Sequence, residues 1–229
     1  MEKNSTYCNY PQCYLAVDCI IFGYENDELK LLLYHRQMPP AKGLWSLMGG
    51  FVEENESIEE TSKRVLNQTV GLENIFMEQV YVFSSPDRDP GGRVVSVAFY
   101  ALIPIHSSDK ELVDSHGAKW FSINDLPELV FDHRQMVGLA LEKLQQTASY
   151  KLIGKELLPE QFTLTQLHNL YNSIFQKKFD AGNFRKKISS LNILEKLNFK
   201  DTMSSKRGAY YYTFKDANGT LFMERIVKK

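Results

Sequence analysis

Two stretches decide how this chain is expected to fold: GGFVEENE at residues 49–56 and RVLNQTVGL at residues 64–72. Between them, Ser57 is followed three residues later by Glu60, which is the pattern of a helix capping box. We therefore predict a loop that leads into a helix over residues 56–70.

Strand-forming segments surround this predicted helix. Apolar runs rich in strand-forming residues lie at residues 14–22, 29–34, 77–83, 94–103 and 118–121. Apolar residues at helical spacing predict another helix over residues 133–146. Strands combined with helices in this way predict an α/β or α+β sandwich for the N-terminal part of the chain.

The pattern changes after a connector at residues 147–162. Thr163 is placed to cap a helix with one apolar face, and a second helix is predicted to bury Phe184, Ile188, Leu191 and Leu194. That second helix is expected over residues 181–197, and two strands, 198–200 and 209–214, bracket a polar loop at 201–208. Two helices and a hairpin predict a winged helix-turn-helix domain. We expect the domains to cover residues 1–148 and 149–229.

The net charge of −1 conceals a strong asymmetry between these two parts. Residues 1–150 contain 12 Lys and Arg against 21 Asp and Glu, a net charge of −9. Residues 151–229 contain 15 Lys and Arg against 7 Asp and Glu, a net charge of +8. A basic domain of this size indicates a polyanionic partner such as nucleic acid.

The two opening stretches resemble the Nudix box, whose pattern is Gly, five residues, Glu, seven residues, then Arg-Glu-aliphatic-x-Glu-Glu-x-Gly-aliphatic. The residues that fall in register are Gly50, Glu56, Arg64, Leu66, Gly71 and Leu72. The resemblance extends over about residues 12–148 and implies a Nudix sandwich. We expect Glu56 and Arg64 to form an ion pair that braces the loop against the helix.

The departures from the box concern the metal. The resemblance implies that three glutamates on one helix face hold Mg²⁺, but the matching positions here are Val65, Gln68 and Thr69. We therefore expect no catalytic residue, no metal ligand and no cofactor, and interpret the domain as a binding module rather than an enzyme. The alternative is an active Nudix pyrophosphohydrolase with an accessory nucleic-acid-binding domain.

The C-terminal segments FTLTQLHNLY at 162–171 and DAGNFRKKI at 180–188 resemble the winged helix of Nudix-related transcriptional regulators. That resemblance implies a homodimer that binds a palindromic double-stranded operator. Polar and cationic residues of the second helix and the wing tip are placed to meet phosphates and base edges. The predicted DNA-binding residues are Asn183, Arg185, Lys186, Lys187, Ser189, Ser190, Lys206 and Arg207.

The family resemblance also implies a small-molecule effector in the Nudix cleft. One branch of the family responds to ADP-ribose-type nucleotides and another to the pentose L-arabinose, and the sequence is more similar to the arabinose branch. Carboxylate, guanidinium and aromatic groups suit sugar hydroxyls, phosphates and rings. The predicted ligand-binding residues are Asp18, Arg36, Trp45, Glu53, Asp89 and Arg93.

Other classes of protein are disfavoured. No segment approaches the roughly 18 consecutive apolar residues that cross a membrane, and the first ten residues do not form a secretory signal. Cys8, Cys13 and Cys19 are odd in number, which predicts reduced thiols rather than a disulfide framework. We expect a cytoplasmic protein with no membrane partner.

Overall fold

The computed structural model describes residues 9–71, 75–105, 111, 113–115, 117–202, 208–215 and 226–227. The wing-tip residues Lys206 and Arg207, which are predicted to bind DNA, lie outside this described part, as does Cys8. Within it, Cys13 is an exposed and Cys19 a buried free thiol. None of the helices in these ranges is long and apolar enough to cross a membrane.

A seven-stranded mixed sheet forms the N-terminal part. Its strands are β1 (Tyr14–Glu25), β2 (Glu28–His35), β3 (Trp45–Ser46), β4 (Met48–Phe51), β5 (Phe76–Phe83), β6 (Val94–Pro104) and β7 (Ala118–Ser122). The order is β3-β2-β1-β6-β5, with β4 also paired to β1 and β7 to β2. Only β1 and β6 run parallel among these pairs. The predicted sandwich is confirmed.

Helix α1 (Ile58–Val70) covers one face of this sheet. Ser57 and Glu60 form the predicted capping box, and Gly71, with φ 68°, ends the helix in the left-handed region that glycine adopts without strain. Val65, Leu66 and Val70 are buried against the sheet. The box loop and α1 therefore form one unit. The helix begins two residues later than predicted.

Helix α2 (His133–Tyr150) covers the opposite face. Met136, Ala140 and Leu144 are fully buried and share a core cluster with Ile20 and Phe22 of β1. The helix runs four residues beyond the predicted end at 146, and so crosses the boundary expected at residue 148. That boundary stays a prediction.

The C-terminal part comprises β8 (Phe162–Thr163), α3 (Leu164–Phe175), α4 (Ala181–Ser190), β9 (Leu194–Asp201) and β10 (Ala209–Phe214). Thr163 caps α3 as predicted, with Gln166 completing a capping box. The strands pair antiparallel in the order β8-β10-β9. Helix α3, helix α4 and the β9–β10 hairpin form the predicted winged helix.

The predicted extent of α4 is wrong, because the helix ends at Ser190 rather than at 197. Asn192 has φ 52°, in the left-handed region, and the Lys215 ammonium donates a hydrogen bond to its side-chain oxygen at 2.7 Å. The chain reverses there, so Leu194 starts β9 although its spacing suited a helix face. Leu191 and Leu194 continue the helical spacing of apolar residues past the end of α4, so this spacing alone could not show that the helix ends at Ser190.

The two parts share a seam. The backbone N–H of Leu29 in β2 donates to Ser173 Oγ of α3 at 2.6 Å, and Asn169 Nδ2 donates to Asp27 at 2.9 Å. One hydrophobic cluster contains residues of both parts, including Phe22, Leu31, Leu144, Leu170 and Ile174. The winged helix is therefore packed onto the sandwich through a common core.

Candidate functional site

The box loop is fixed by the predicted ion pair. Arg64 Nε and Nη2 donate to the two carboxylate oxygens of Glu56, each at 2.7 Å, and Nη2 also donates to the carbonyl of Phe51. The hydrogen bonds from Arg64, with a further one from Thr61, lower the pKa of Glu56 to about 2. Glu56 and Arg64 thus brace the loop against α1, as expected.

The residues at the metal positions of the box do not fit Mg²⁺. Val65 is 5% exposed and packs beneath Gly50, and Gln68 is an exposed neutral amide. The Thr69 hydroxyl donates to the Val65 carbonyl at 2.6 Å, inside its own helix. A hard cation prefers carboxylate oxygens, and these three side chains offer none. In the described ranges no three His, Cys, Asp or Glu side chains group to hold a metal.

A buried polar cluster lies on the other face of the sheet. Asp18 of β1 is 8% exposed and accepts a hydrogen bond from Ser96 Oγ at 2.6 Å. Arg88, in the loop between β5 and β6, donates two hydrogen bonds to Asp132, both at 2.8 Å, and lies 3.6 Å from Asp18. Because buried charges are stable only when paired, this network holds β1, β6, the β5–β6 loop and the start of α2 together.

His133 completes this cluster. Its Nδ1 accepts the backbone N–H of Leu47 at 3.1 Å, so the neutral ring carries its proton on Nε2, which lies 3.6 Å from Asp18. Burial away from water lowers the pKa of His133, more than the neighbouring carboxylates Asp18 and Asp132 raise it. The ring is therefore neutral near pH 7, and it connects the first turn of α2 to Leu47, the residue between β3 and β4.

Three of the predicted ligand residues, Asp18, Arg36 and Asp89, gather around this cluster. The Arg36 guanidinium lies 5.4 Å from the ring centroid of Phe131, and Nε donates to the carbonyl of Pro40 at 3.0 Å. Asp89 accepts the backbone N–H of Gly91, which packs beside Pro40. The loops that carry Arg36 and Asp89 therefore meet at Pro40 and Gly91.

The other three are engaged in different ways. Arg93 donates to the carbonyls of Ser84 and Ser85, which closes the β5–β6 loop. Glu53 is exposed and lies 3.9 Å from Arg64. Trp45 packs edge-on against the rings of His35 and Phe121, at 5.2 and 4.8 Å. Glu53 and Arg93 are therefore exposed, whereas the Trp45 ring is packed against other aromatic rings.

Most of the buried cluster was not predicted from the sequence, namely Arg88, Asp132, His133 and Ser96. The predicted ligand residues of the same loop are the half-buried Asp89 and the exposed Arg93. The one sequence signal for these residues was the segment at 131–133, which resembles the C-terminal half of a Nudix domain. Nothing in the sequence shows that Arg88 turns inward, since only the tertiary structure brings residues 18, 88 and 132 together.

The second surface of interest is helix α4. Phe184 and Ile188 point into the core, as predicted, while the opposite side of the helix faces water. The predicted DNA-binding residues that are exposed there are Asn183, Arg185, Lys186, Ser189 and Ser190, with Lys187 half-buried. Arg185 Nη2 donates to Thr165 Oγ1 at the start of α3, at 3.1 Å, so its guanidinium is oriented across the two helices.

The β9–β10 hairpin carries two further cations that were not among the predicted DNA-binding residues. Lys196 and Lys200 of β9 hold their ammonium groups 3.5 and 4.6 Å from the ring centroid of Tyr210. A cation above an aromatic face is attracted by its quadrupole, so both lysines are held along one side of the wing. With α4, they form a basic surface suited to a phosphate backbone.

Comparison with known protein families identifies both parts. The NUDIX domain model matches residues 14–139, and the NrtR DNA-binding winged helix domain model matches residues 154–214. The chain belongs to the NrtR family. The Nudix sandwich followed by a winged helix is the NrtR arrangement, and the crystal structure of Shewanella oneidensis NrtR complexed with a 27mer DNA superposes with a TM-score of 0.81. That match has 31% identity and covers 92% of this chain and 98% of the other.

Further relatives of this NrtR family member are named for ADP-ribose or were solved with it. The "ADPR responsive transcriptional repressor NtrR" of Acinetobacter baylyi is 29% identical over 210 residues, covering 90% of this chain and 84% of its own. The NUDIX domain of S. oneidensis NrtR complexed with ADP ribose is 31% identical with a TM-score of 0.53, covering 62% of this chain and 94% of that domain. The "ADP-ribose pyrophosphatase" of Methanocaldococcus jannaschii is 42% identical over 123 residues, covering 54% of this chain and 70% of its own.

Proposed function

We propose that this chain is a transcription regulator that binds operator DNA through its winged helix and releases or engages it in response to a small molecule. The observation that carries the proposal is the exposed basic side of α4, on a chain similar over 92% of its length to an NrtR solved on DNA. The net charge of +8 on residues 151–229 supports the same conclusion.

The test is binding of the full chain to a duplex enriched by that chain from a random-sequence library. Arg185→Ala and Lys186→Ala should each weaken binding, by about 5- to 150-fold where a base contact is lost. A lost phosphate contact should instead reduce the slope of log affinity against log salt by about one. Lys63→Ala, which removes an exposed cation from α1, is the matched control and should change neither quantity.

Equal affinity for the enriched and random duplexes at about 0.15 M salt would contradict sequence-specific binding. A palindromic enriched site and a homodimer in sedimentation analysis are the expected accompaniments, because a two-fold operator mirrors a two-fold protein.

For the effector, we propose an ADP-ribose-type nucleotide bound at the end of the sheet where Asp18, Arg36 and Asp89 gather. The resemblance of the sequence to the arabinose branch favoured L-arabinose. The relatives named above are instead named for ADP-ribose or were solved with it, and none of them is named for arabinose. Glu53, Arg93 and Trp45 stay proposed as further ligand residues, with the Trp45 ring packed against His35 and Phe121.

Titration calorimetry with ADP-ribose and with L-arabinose, in the presence and absence of the enriched duplex, distinguishes these effectors. The correct effector binds the free and DNA-bound protein with different affinities, since a ligand with equal affinity for both shifts no population. The duplex must change effector affinity by the same factor. Arg36→Gln should weaken ADP-ribose binding. Tight arabinose binding without ADP-ribose binding would reverse our assignment.

We also propose that the Nudix domain does not hydrolyse its ligand by a Mg²⁺-dependent reaction. The support is chemical, because Val65, Gln68 and Thr69 provide no carboxylate at the box positions. The rival, an active pyrophosphohydrolase, is favoured by the 42% identity to the archaeal ADP-ribose pyrophosphatase. Incubation with ADP-ribose and Mg²⁺, followed by chromatography for AMP, should show intact ligand. Turnover that disappears in Glu56→Gln would establish the rival.

A further inference from the structure

Helix α2 runs from the buried polar cluster to the core that the sandwich shares with the winged helix. Its 18 residues span about 27 Å at 1.5 Å per residue. Its first turn lies in the buried polar cluster beside the proposed effector site. Its last two turns lie in the core shared with the winged helix, where Leu144 and Ala148 are fully buried.

The first turn of α2 is held by Arg88. Asp132 occupies the position that begins the helix, where a carboxylate ordinarily caps the helix N–H groups, yet its side chain makes no capping bond. Both of its oxygens instead accept hydrogen bonds from Arg88, at 2.8 Å each. The Arg88 side chain is only 4% exposed, so this charge pair is shielded from water and from salt.

Arg88 belongs to the same loop as Asp89 and Arg93. Asp89 shapes the turn through Gly91, and Arg93 closes the loop through the carbonyls of Ser84 and Ser85. A ligand that contacts Asp89 or Arg93 would therefore act on the loop that carries Arg88. The loop is otherwise largely exposed, and Arg88 is its buried residue that binds the start of α2.

The far end of α2 holds α3 by a polar contact as well as by packing. Gln145 Nε2 donates to the carbonyl of Ile174, in the last turn of α3, at 3.0 Å. The C-terminal carbonyls of a helix lack partners within the helix, so this bond satisfies one of them. Helix α3 in turn contacts α4 through Tyr171 and Phe184, whose ring centroids lie 5.2 Å apart. The chain of contacts is therefore continuous from Arg88 to the DNA-facing helix.

We propose that Arg88 is a positioning residue for the regulatory response, which sets α2 through Asp132, and that α2 transmits effector binding to α3 through Gln145. The proposal rests on the proposed function, because it needs an effector and a DNA site to couple. It assigns the coupling to α2 rather than to the direct contacts of α3 with the sandwich, which are the hydrogen bonds Leu29–Ser173 and Asn169–Asp27.

The experiment measures the ratio of DNA dissociation constants with and without saturating ADP-ribose, on the full chain and the enriched duplex. Allosteric ratios typically lie at about 5–150. Arg88→Lys keeps the charge but cannot make the two parallel bonds, and Gln145→Ala removes the far contact. Both variants should bring this ratio closer to one by a factor of about 2 to 30. The change cannot exceed the wild-type ratio itself. In Gln145→Ala, DNA affinity without ADP-ribose and ADP-ribose affinity without DNA should stay within about twofold of wild type.

Gln146→Ala is the matched control, since it removes the same side chain from an exposed position one residue further along α2. Its ratio should equal that of the wild type. If Arg88→Lys does not fold, Gln145→Ala decides alone. Wild-type ratios in both variants, or loss of coupling in Asn169→Ala with none in Gln145→Ala, would overturn the α2 pathway. A wild-type ratio of one would overturn the proposed effector together with the pathway.

Discussion

The shared core predicts that damage in the winged helix is felt in the Nudix sandwich. Leu170 of α3 is fully buried in the cluster that also contains Ile20 and Phe22 of β1. A buried Leu→Ala substitution costs about 2–5 kcal/mol. Because each kcal/mol shifts the melting temperature of a protein of this size by about 2–4 °C, Leu170→Ala should lower Tm by roughly 4–20 °C.

The two tryptophans make this test specific. Trp45 and Trp120 both lie in the N-terminal sandwich, so tryptophan fluorescence reports only on the part of the chain that does not contain Leu170. If the core is shared, the fluorescence transition should move to lower temperature together with the far-ultraviolet circular dichroism transition. Coincident transitions are the mark of a single cooperative unit.

The control is Leu44→Ala, which makes the same substitution at a side chain that is 50% exposed. Its stability should change by no more than about 0.5 kcal/mol. A Leu170→Ala protein whose tryptophan transition stays at the wild-type temperature, while its circular dichroism transition splits, would refute the shared core. The two parts would then unfold separately, and the seam would be an interface rather than a core.

Three further outcomes are expected. Gly138→Ala should raise the free energy of unfolding by about 0.4–1 kcal/mol in urea titration, since Gly138 lies inside α2 and an added Cβ would meet no atom within 4 Å; a loss of stability would mean that the helix needs the glycine. For His133, whose folded pKa lies below 6.5, the unfolded chain binds the proton first, so stability should fall as pH drops from about 6.5 toward the lower folded pKa. His133→Asn should flatten that dependence, and an unchanged slope would exclude this histidine as its source. Glu56, with a folded pKa of about 2, should stabilise the protein fully above pH 4.5 and progressively less between 4.5 and 2; Glu56→Gln should lose this acid dependence, as chemical denaturation across that range will show.

Local signals in the sequence located the helix starts to within two residues. The capping boxes at Ser57 and Thr163 depend on residues three positions apart, so the sequence alone contains both partners of each hydrogen bond. The Glu56–Arg64 pair was predictable for a similar reason, because its partners belong to one continuous motif.

Contacts between distant residues were not predictable in this way. The end of α4 depends on a reversal at Asn192 that Lys215 stabilises from 23 residues away, and the buried cluster joins Arg88 to Asp132 across 44 residues. Neither contact can be predicted from amino-acid composition or from the spacing of apolar residues. The exposed Arg93 was therefore predicted as a ligand residue, while the buried Arg88 was not.

The hydrogen bond from the Leu29 backbone to Ser173 limits how such a protein can be recombined. If the Nudix domain were joined to a different winged helix, the α3 of that winged helix would pack against β2. Unless that α3 had a hydroxyl at the position of Ser173, the buried backbone N–H of Leu29 would have no hydrogen-bond partner. Leaving such a group unsatisfied costs about 1–3 kcal/mol, a sizeable share of the stability of an ordinary domain. A chimera should therefore be fully stable only when its α3 supplies a hydroxyl at the position of Ser173. We expect the Nudix domain and its winged helix to have been inherited together for this reason.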